Sequence, residues 1–331
     1  MMMNGARRGR IYIGPSGWSY PDWSGNVYPP NAGSRFDALT HLSRYFRAIE
    51  VNSSYYRPPN PRTSASWVRR VHDPKGFLFT VKLHQRFTHV REEYGRADIA
   101  EFKNGIAPIV EAGLLGCILM QFPWSFRCNG LSLEWLARLA DDFGEYPLAV
   151  EVRHTSWDRP DVRAKLRDMR LSYCNIDQPL LPQCLPPAAH VTGPIGYVRL
   201  HGRRYDTWFN DNVEPHERYD YLYRPGELHE WMGRIRELAG QTETLFVFAN
   251  NHYKGQGPAN ALQLRAMVEG REVDVPESML HAFPFLREIA RPIVRAPEPH
   301  QPTLFDQVTA IRAPARPHER QDASTHEGTS D

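Results

Sequence analysis

Apolar residues along the chain gather in eight short runs rich in β-branched and aromatic side chains. Longer stretches separate them, in which apolar positions return every three or four residues. The runs are RIYIG (10–14), RAIEVN (47–52), GFLFTVKLH (76–84), GCILMQF (116–122), PLAVEVR (147–153), LSYCNID (171–177), GYVRLHG (196–202) and TLFVFAN (244–250). The stretches between them predict helices near 37–46, 63–72, 98–112, 132–143, 160–169, 225–239 and 258–269. Pro160, Pro225 and Pro258 stand at three of the starts, where a fixed φ suits the first turn and a missing N–H leaves nothing unpaired. The alternation weakens after the sixth run, because QPLLPQCLPPAAH (178–190) is too rich in proline for a helix and is expected as a loop.

Strands linked through helices must run parallel, since each crossover returns the chain to the same end of the sheet. Eight such strands predict an α/β fold, a closed (β/α)8 TIM barrel built as a single domain over residues 11–290, with a doubly wound open sheet as the alternative. Residues 1–10 are expected as a flexible N-terminus. From 291 to 331 the chain turns to proline, charge and small polar residues, and is expected as a disordered tail because it cannot bury enough apolar surface to offset its ordering entropy.

With 331 residues, 41% of them hydrophobic, the chain can bury a core of that size. A net charge of +2 provides no bulk basic field of the kind that marks a nucleic-acid binder, so any charge that matters is local. Cys117, Cys128, Cys174 and Cys184 match neither a zinc site nor a redox pair in their spacing and read as reduced thiols of a cytoplasmic protein. The longest apolar run, LLGCILM, falls far short of the roughly 20 residues that cross a bilayer, and no apolar segment of signal-peptide length follows the basic start. No membrane association is expected.

Residues two apart in a strand share a face. At the run ends this rule picks out polar doublets: Glu50 with Asn52, Lys82 with His84, Glu151 with Arg153, Asn175 with Asp177, and Arg199 with His201, with Gln121 and Asn250 as single examples. In a parallel barrel these C-terminal ends form one mouth, where active sites of this architecture lie. A purely structural ion-pair network, for example Glu50 with Lys82, is the competing explanation, but buried pairs add little net stability and a set over most strands exceeds packing needs. Lys82, Arg153, Arg199, Arg203 and Arg204, with His84, His89, His154 and His201, predict a cationic rim and hence an anionic small-molecule substrate bearing phosphate or carboxylate.

Glu50, Glu151, Lys82 and His201 are the catalytic candidates, the two glutamates leading because a carboxyl in such a mouth can be tuned toward acid or base. Paired glutamates also suggest glycoside hydrolysis, although the second and fifth strands are not where familiar barrel glycosidases carry them. No cofactor is predicted. A divalent metal on Glu50, Glu151, Asp177 and His201 is an alternative, opposed by the neighbouring cations and unsupported by any compact ligand motif. Aromatic residues crowd the same loops (Trp18, Tyr20, Trp23, Tyr55, Tyr56, Trp124, Trp157, Tyr205, Trp208, Phe209 and Tyr253), and could stack on a sugar or base or simply close the mouth.

The segments IGPSGWSYPDW (13–23), IEVNSSYY (49–56), FTVKLHQRFTH (79–89), QFPWSF (121–126), AVEVRHTSW (149–157), YVRLHG (197–202) and FANNHYKGQGPANA (248–261) resemble the successive motifs of the domain of unknown function 72 family, also called YecE-like. Tyr55 and Ala249 depart from residues common in that family, outside the doublets. The resemblance implies a TIM barrel and no settled activity. Its motif positions add Ser16, Gly17, Trp18, Thr88, His89, His154, Trp157 and Asn251 to the doublet residues as implied site positions. Among these, Ser16, Trp18, Asn52, His89, Gln121, Arg153, His154, Trp157, Asp177, Arg199, Asn250 and Asn251 are expected to bind substrate.

In the tail, QPTLFDQ (301–307) has the form Q-x-x-L-F and resembles the peptide with which bacterial DNA-repair and replication proteins dock on the sliding clamp, through Gln301, Leu304 and Phe305. Two readings follow. The barrel is an enzyme using acid/base chemistry on an anionic substrate, or a DNA-maintenance factor that binds nucleic acid at its mouth and reaches the clamp through its tail.

Overall fold

A computed structural model describes residues 9–91, 94–210 and 212–291. Residues 1–8 and the tail from 292 onward, including Gln301, Leu304 and Phe305, lie outside the described residues. Eight parallel strands form the barrel: β1 (Arg10–Pro15), β2 (Ala48–Val51), β3 (Leu78–Lys82), β4 (Leu115–Gln121), β5 (Leu148–Glu151), β6 (Ser172–Asp177), β7 (Ile195–Leu200) and β8 (Thr244–Ala249). Each coincides with one of the eight apolar runs.

The principal outer helices are α1 (Ala38–Leu42), α3 (Pro61–Arg70), α4 (Arg96–Glu111), α5 (Gly130–Phe143), α6 (Pro160–Asp168), α7 (Pro225–Gln241) and α8 (Gln256–Glu269). Short helices α2 (Ser53–Tyr56) and α9 (Glu277–Ala282) complete the set among the described residues. Asn60 and Asn129 accept from the backbone N–H groups of Thr63 and Ser132, capping α3 and α5. Pro61, Pro160 and Pro225 open their helices at positions where no N–H is needed. Residues 178–194 between β6 and β7 contain no helix, as the prolines require.

Strand ladders run continuously from β2 through β3 to β8 and on to β1, in a nearly closed ring. The seam between β1 and β2 narrows at the C-terminal end, where Gly17 N–H donates to Glu50 O at 2.8 Å and Ser16 bridges Glu50. Lower in the seam a side chain at Gly14 would place its Cβ 1.8 Å from the carbonyl oxygen of Ala48, so the two strands can approach only with glycine there. The interior is filled below by Tyr12, Tyr197, Phe246 and Phe248, whose ring centroids lie 5.5 to 6.2 Å apart in successive pairs. Polar side chains begin above this aromatic plug. Cys117, Cys174 and Cys184 are buried free thiols and Cys128 is partly exposed.

Candidate active site at the barrel mouth

The register of the sheet fixes which side chains look inward. Ser16 pairs with Glu50, Glu50 with Thr80, Lys82 with Leu119, Gln121 with Glu151, and Arg199 with Phe248, so these positions share the inner face. On β7 the inner face climbs from Tyr197 through Arg199 to His201.

Arg199 is 1% exposed and lies between two carboxylates. Its Nη2 donates to Glu50 Oε1 at 2.6 Å, its Nη1 donates to Glu151 Oε2 at 2.6 Å, and Nη2 also donates to Asn250 Oδ1 at 3.0 Å. Glu50 accepts in addition from the hydroxyls of Ser16 and Tyr197. Asn52 Nδ2 donates to Ser16 Oγ at 2.9 Å and to Tyr20 Oη at 3.1 Å, extending the network to the first loop. Glu151 Oε1 accepts from Arg153 Nε at 3.0 Å. Burial alone would raise the Glu151 carboxyl, but Arg199, His201 and Arg153 outweigh it and hold its pKa well below the ordinary carboxylate value.

The same contacts fix the tautomer of His201. Asn250 Oδ1 faces the donor-only guanidinium of Arg199, so its Nδ2 is the atom 3.0 Å from His201 Nδ1. Nδ1 therefore accepts, and the ring proton sits on Nε2, 3.2 Å from Glu151 Oε1. That contact is close without hydrogen-bond alignment, so we read it as electrostatic. Burial lowers His201 to about 4 against the opposing pull of Glu151, leaving a neutral imidazole at pH 7.

Lys82 behaves differently. Its ammonium lies 4.9 Å above the ring of Tyr55 and forms no salt bridge within 4.0 Å among the described residues. Burial and the Arg199 charge lower its pKa to about 8, against the attraction of Glu50 and Glu151. It is thus still cationic at pH 7 and close to releasing its proton.

Two cavities open at the mouth. One of about 450 Å³ is lined by Trp18, Tyr20, Tyr56, Trp67, Tyr219 and His252, with Gly17, Ser19, Ser53, Asn52, Lys82 and Asn250 supplying its polar and backbone surfaces. The other, about 340 Å³, is lined by Lys82, His89, Gln121, Arg153 and Arg218 among Tyr55, Tyr56, Pro123, Trp124, Trp208, Phe209 and Tyr219. Both fall in the size range of small-molecule sites, about 300–1,000 Å³. Lys82, Tyr56 and Tyr219 belong to both. Another cavity, of about 550 Å³ on the barrel flank between α7 and α8, is remote from these residues.

Of the positions expected from sequence, Ser16, Trp18, Glu50, Asn52, Lys82, His89, Gln121, Glu151, Arg153, Arg199, His201 and Asn250 converge on the network or its cavities. Four do not. Asp177 points away from the mouth, accepting from Arg203 Nη2 at 2.8 Å and from Trp231 Nε1 of α7 at 2.5 Å. Register explains this: Ile176 is the partner of Arg199, so Asn175 and Asp177 occupy the outer face of β6. His154 caps the turn Thr155–Trp157 by accepting from Ser156 N–H, and its Nε2 meets Gln183. Trp157 is fully buried, donating to Phe126 O at 2.7 Å. Asn251 ties the loop after β8 to Tyr221 O and Asn260 Oδ1.

The cationic rim shrinks accordingly. Arg203 pairs with Asp177, Arg204 with Asp206 and Asp220, and Arg199 is neutralised between its two glutamates. Burial lowers His89 to about 4, and lowers His84 as well. Within the network, Arg199, Arg153 and Lys82 against Glu50 and Glu151 give three cations minus two carboxylates, a local excess of +1. Glu50 pairs with Arg199 rather than with Lys82. The donors considered for a metal do not meet, because Asp177 faces outward and a guanidinium separates Glu50 from Glu151. Among the described residues no group of three or more His, Cys, Asp or Glu side chains is arranged to hold a metal ion.

Sequence reasoning missed Tyr197, Tyr219, Trp67 and His252 as site residues. Tyr197 was accessible to the two-residue rule, lying two positions below Arg199. Tyr219 and His252 sit in loops without periodicity, where they continue a ring column: Tyr20 and His252 stack at 4.6 Å, and His252 and Tyr219 are 5.0 Å apart.

Fold and site together define a TIM-barrel protein whose mouth is floored by a buried arginine–glutamate network. The chain belongs to the family described as "Protein of unknown function DUF72", whose sequence model matches residues 12–282. It is 30% identical over 275 residues to the UPF0759 protein YunF of Bacillus subtilis (strain 168), covering 78% of this chain and 95% of that one. A crystal structure of a DUF72 family protein from Thermotoga maritima MSB8 aligns with a TM-score of 0.70 and 36% identity over 78% of this chain and 99% of the other. A DUF72 family protein from Enterococcus faecalis V583, at 23% identity, shares the fold with a TM-score of 0.70 over 80% of this chain and 98% of its own. No helix among the described residues is long and apolar enough to cross a membrane.

Proposed function

We propose that the mouth is the active site of an enzyme that performs acid/base chemistry on an anionic substrate bearing a phosphate or carboxylate. The observation that carries this reading is Lys82, a cation without a carboxylate partner, standing where the two cavities meet. Its pKa of about 8 suits proton exchange near neutral pH. Glu50 and Glu151 take a different part from the one the sequence suggests. Both are tied to Arg199, and neither lines either of the two mouth cavities, so they position cations rather than exchange protons with substrate. Arg153, anchored by Glu151, and Lys82 hold the anion, with neutral His89 and Gln121 beside it.

A thermal-shift series with phosphorylated and carboxylated metabolites at low ionic strength tests this. Stabilisation of the wild type should be lost in Lys82→Met. Stabilisation by neutral sugars alone would remove the anion, and an unchanged response in Lys82→Met would remove the lysine.

A nucleic-acid ligand is the second reading, favoured by rings exposed at the rim, Tyr56 at 71% and Phe209 at 49%, which offer stacking faces to bases. Absence of single-stranded DNA binding at low salt, where phosphate contacts are strongest, would reject it. Docking on the sliding clamp rests on QPTLFDQ alone. The full chain should capture clamp and lose it in Leu304→Ala with Phe305→Ala; no capture by the intact chain removes that proposal.

A further inference from the structure

The two cavities differ in chemistry as well as position. The larger is walled by planar rings, among them Tyr20 stacked on His252 and Trp18 edge-on to Trp67 with an interplanar angle of 82°. Its polar surface is largely uncharged, Asn52 and Asn250 being side-chain amides, and Lys82 is its one cation among the described residues. The smaller cavity places Lys82 and Arg153 among its rings. Lys82, Tyr56 and Tyr219 line both, so the two cavities are neighbours that share these side chains.

From this juxtaposition we infer that the substrate is a ring compound with a pendant anionic group, its ring lying between the aromatic walls and its phosphate or carboxylate between Lys82 and Arg153. This rests on the anion-binding reading above and narrows the substrate class. A ring that meets aromatic faces while its edge reaches amide groups is either a sugar or a nitrogen heterocycle. In both cases the bond or proton nearest the ring–anion junction is the one presented to the Lys82 ammonium. A simple anion would leave the larger cavity to solvent, and a neutral ring would leave Lys82 without an anionic partner.

Ser53 offers a way to separate the halves. It is exposed at the start of α2 and lines only the ring cavity of the two, so Ser53→Trp fills that cavity without disturbing the buried core. Calorimetric titration of wild type and Ser53→Trp would use inorganic phosphate, glucose 6-phosphate, adenosine monophosphate, glucuronate, glucose and adenosine. At least one ring-bearing anion should bind tenfold or more tighter than both inorganic phosphate and its own neutral ring. Ser53→Trp should abolish that gain while retaining phosphate binding. The tightest arm tells sugar from heterocycle and phosphate from carboxylate. If phosphate binds and no ring adds affinity, or if Ser53→Trp leaves the gain intact, the two-part substrate is overturned while the anion site stands. If no anion binds and neutral rings do, both readings fall.

Discussion

Replacing Arg199 with Met removes the one charge that compensates two buried carboxylates at once. In the wild type Arg199 bonds Glu50 and Glu151 at 2.6 Å each, with all three side chains at most 1% exposed. Taking one partner from a buried pair typically costs about 3–5 kcal/mol, since the remaining charge stays desolvated. Here Glu151 keeps Arg153 and Glu50 keeps the Tyr197 and Ser16 hydroxyls, so the two losses do not simply double. The expected destabilisation at pH 7 is therefore about 3–5 kcal/mol, a fall in Tm on the order of 10 °C for a domain of this size. Urea unfolding followed by tryptophan fluorescence measures it directly. The sign with pH is diagnostic. In Arg199→Met the stranded Glu151 carboxylate binds a proton more readily, so the gap to wild type should narrow as pH falls from 7 toward 4. Adding Glu50→Gln, which removes one stranded charge, should recover at least about 1 kcal/mol. A loss below about 1 kcal/mol, or a gap independent of pH, would refute the argument that the guanidinium balances both glutamates.

Two further outcomes follow from the titrating groups. Lys82 has a folded pKa of about 8 against an ordinary value of 10.5, so the unfolded chain binds more protons between these values and wild-type stability rises with pH across that window. Lys82→Met should be more stable than wild type at pH 7, with the difference shrinking above pH 8; equal urea midpoints at pH 7 would show that the ammonium carries no burial cost. His201, lowered to about 4 from 6.5, likewise makes stability rise with pH between those values. His201→Gln should flatten that rise without abolishing it, because His89 falls to about 4 as well. A slope unchanged between pH 5 and 7 would mean His201 is not held neutral.

Much of this molecule was legible in its sequence, because both periods that matter are local. Short apolar runs marked all eight strands, and the return of apolar positions every three or four residues, with Pro160 and Pro225 at two of the starts, marked helices, since backbone sterics act within a few residues. The rule that residues two apart share a face also brought Glu50, Lys82, Glu151, Arg199 and His201 to one mouth. What the rule cannot supply is phase. It makes Asn175 and Asp177 companions without saying which way they look, and only hydrogen-bond register with β7 turns them outward to Arg203 and Trp231.

Partner choice was equally beyond the sequence. The neighbouring strand suggested Lys82 for Glu50, but the barrel brings Arg199 across the interior to both glutamates and leaves Lys82 at the junction of two cavities. Electrostatics follows from that placement, because desolvation and charge separation depend on distances between residues as many as 149 positions apart. The chain alone therefore determined the fold and most of the charged groups at its mouth. Tertiary structure decided which are bound to one another, which remain available, and where a ligand's ring and anion can lie.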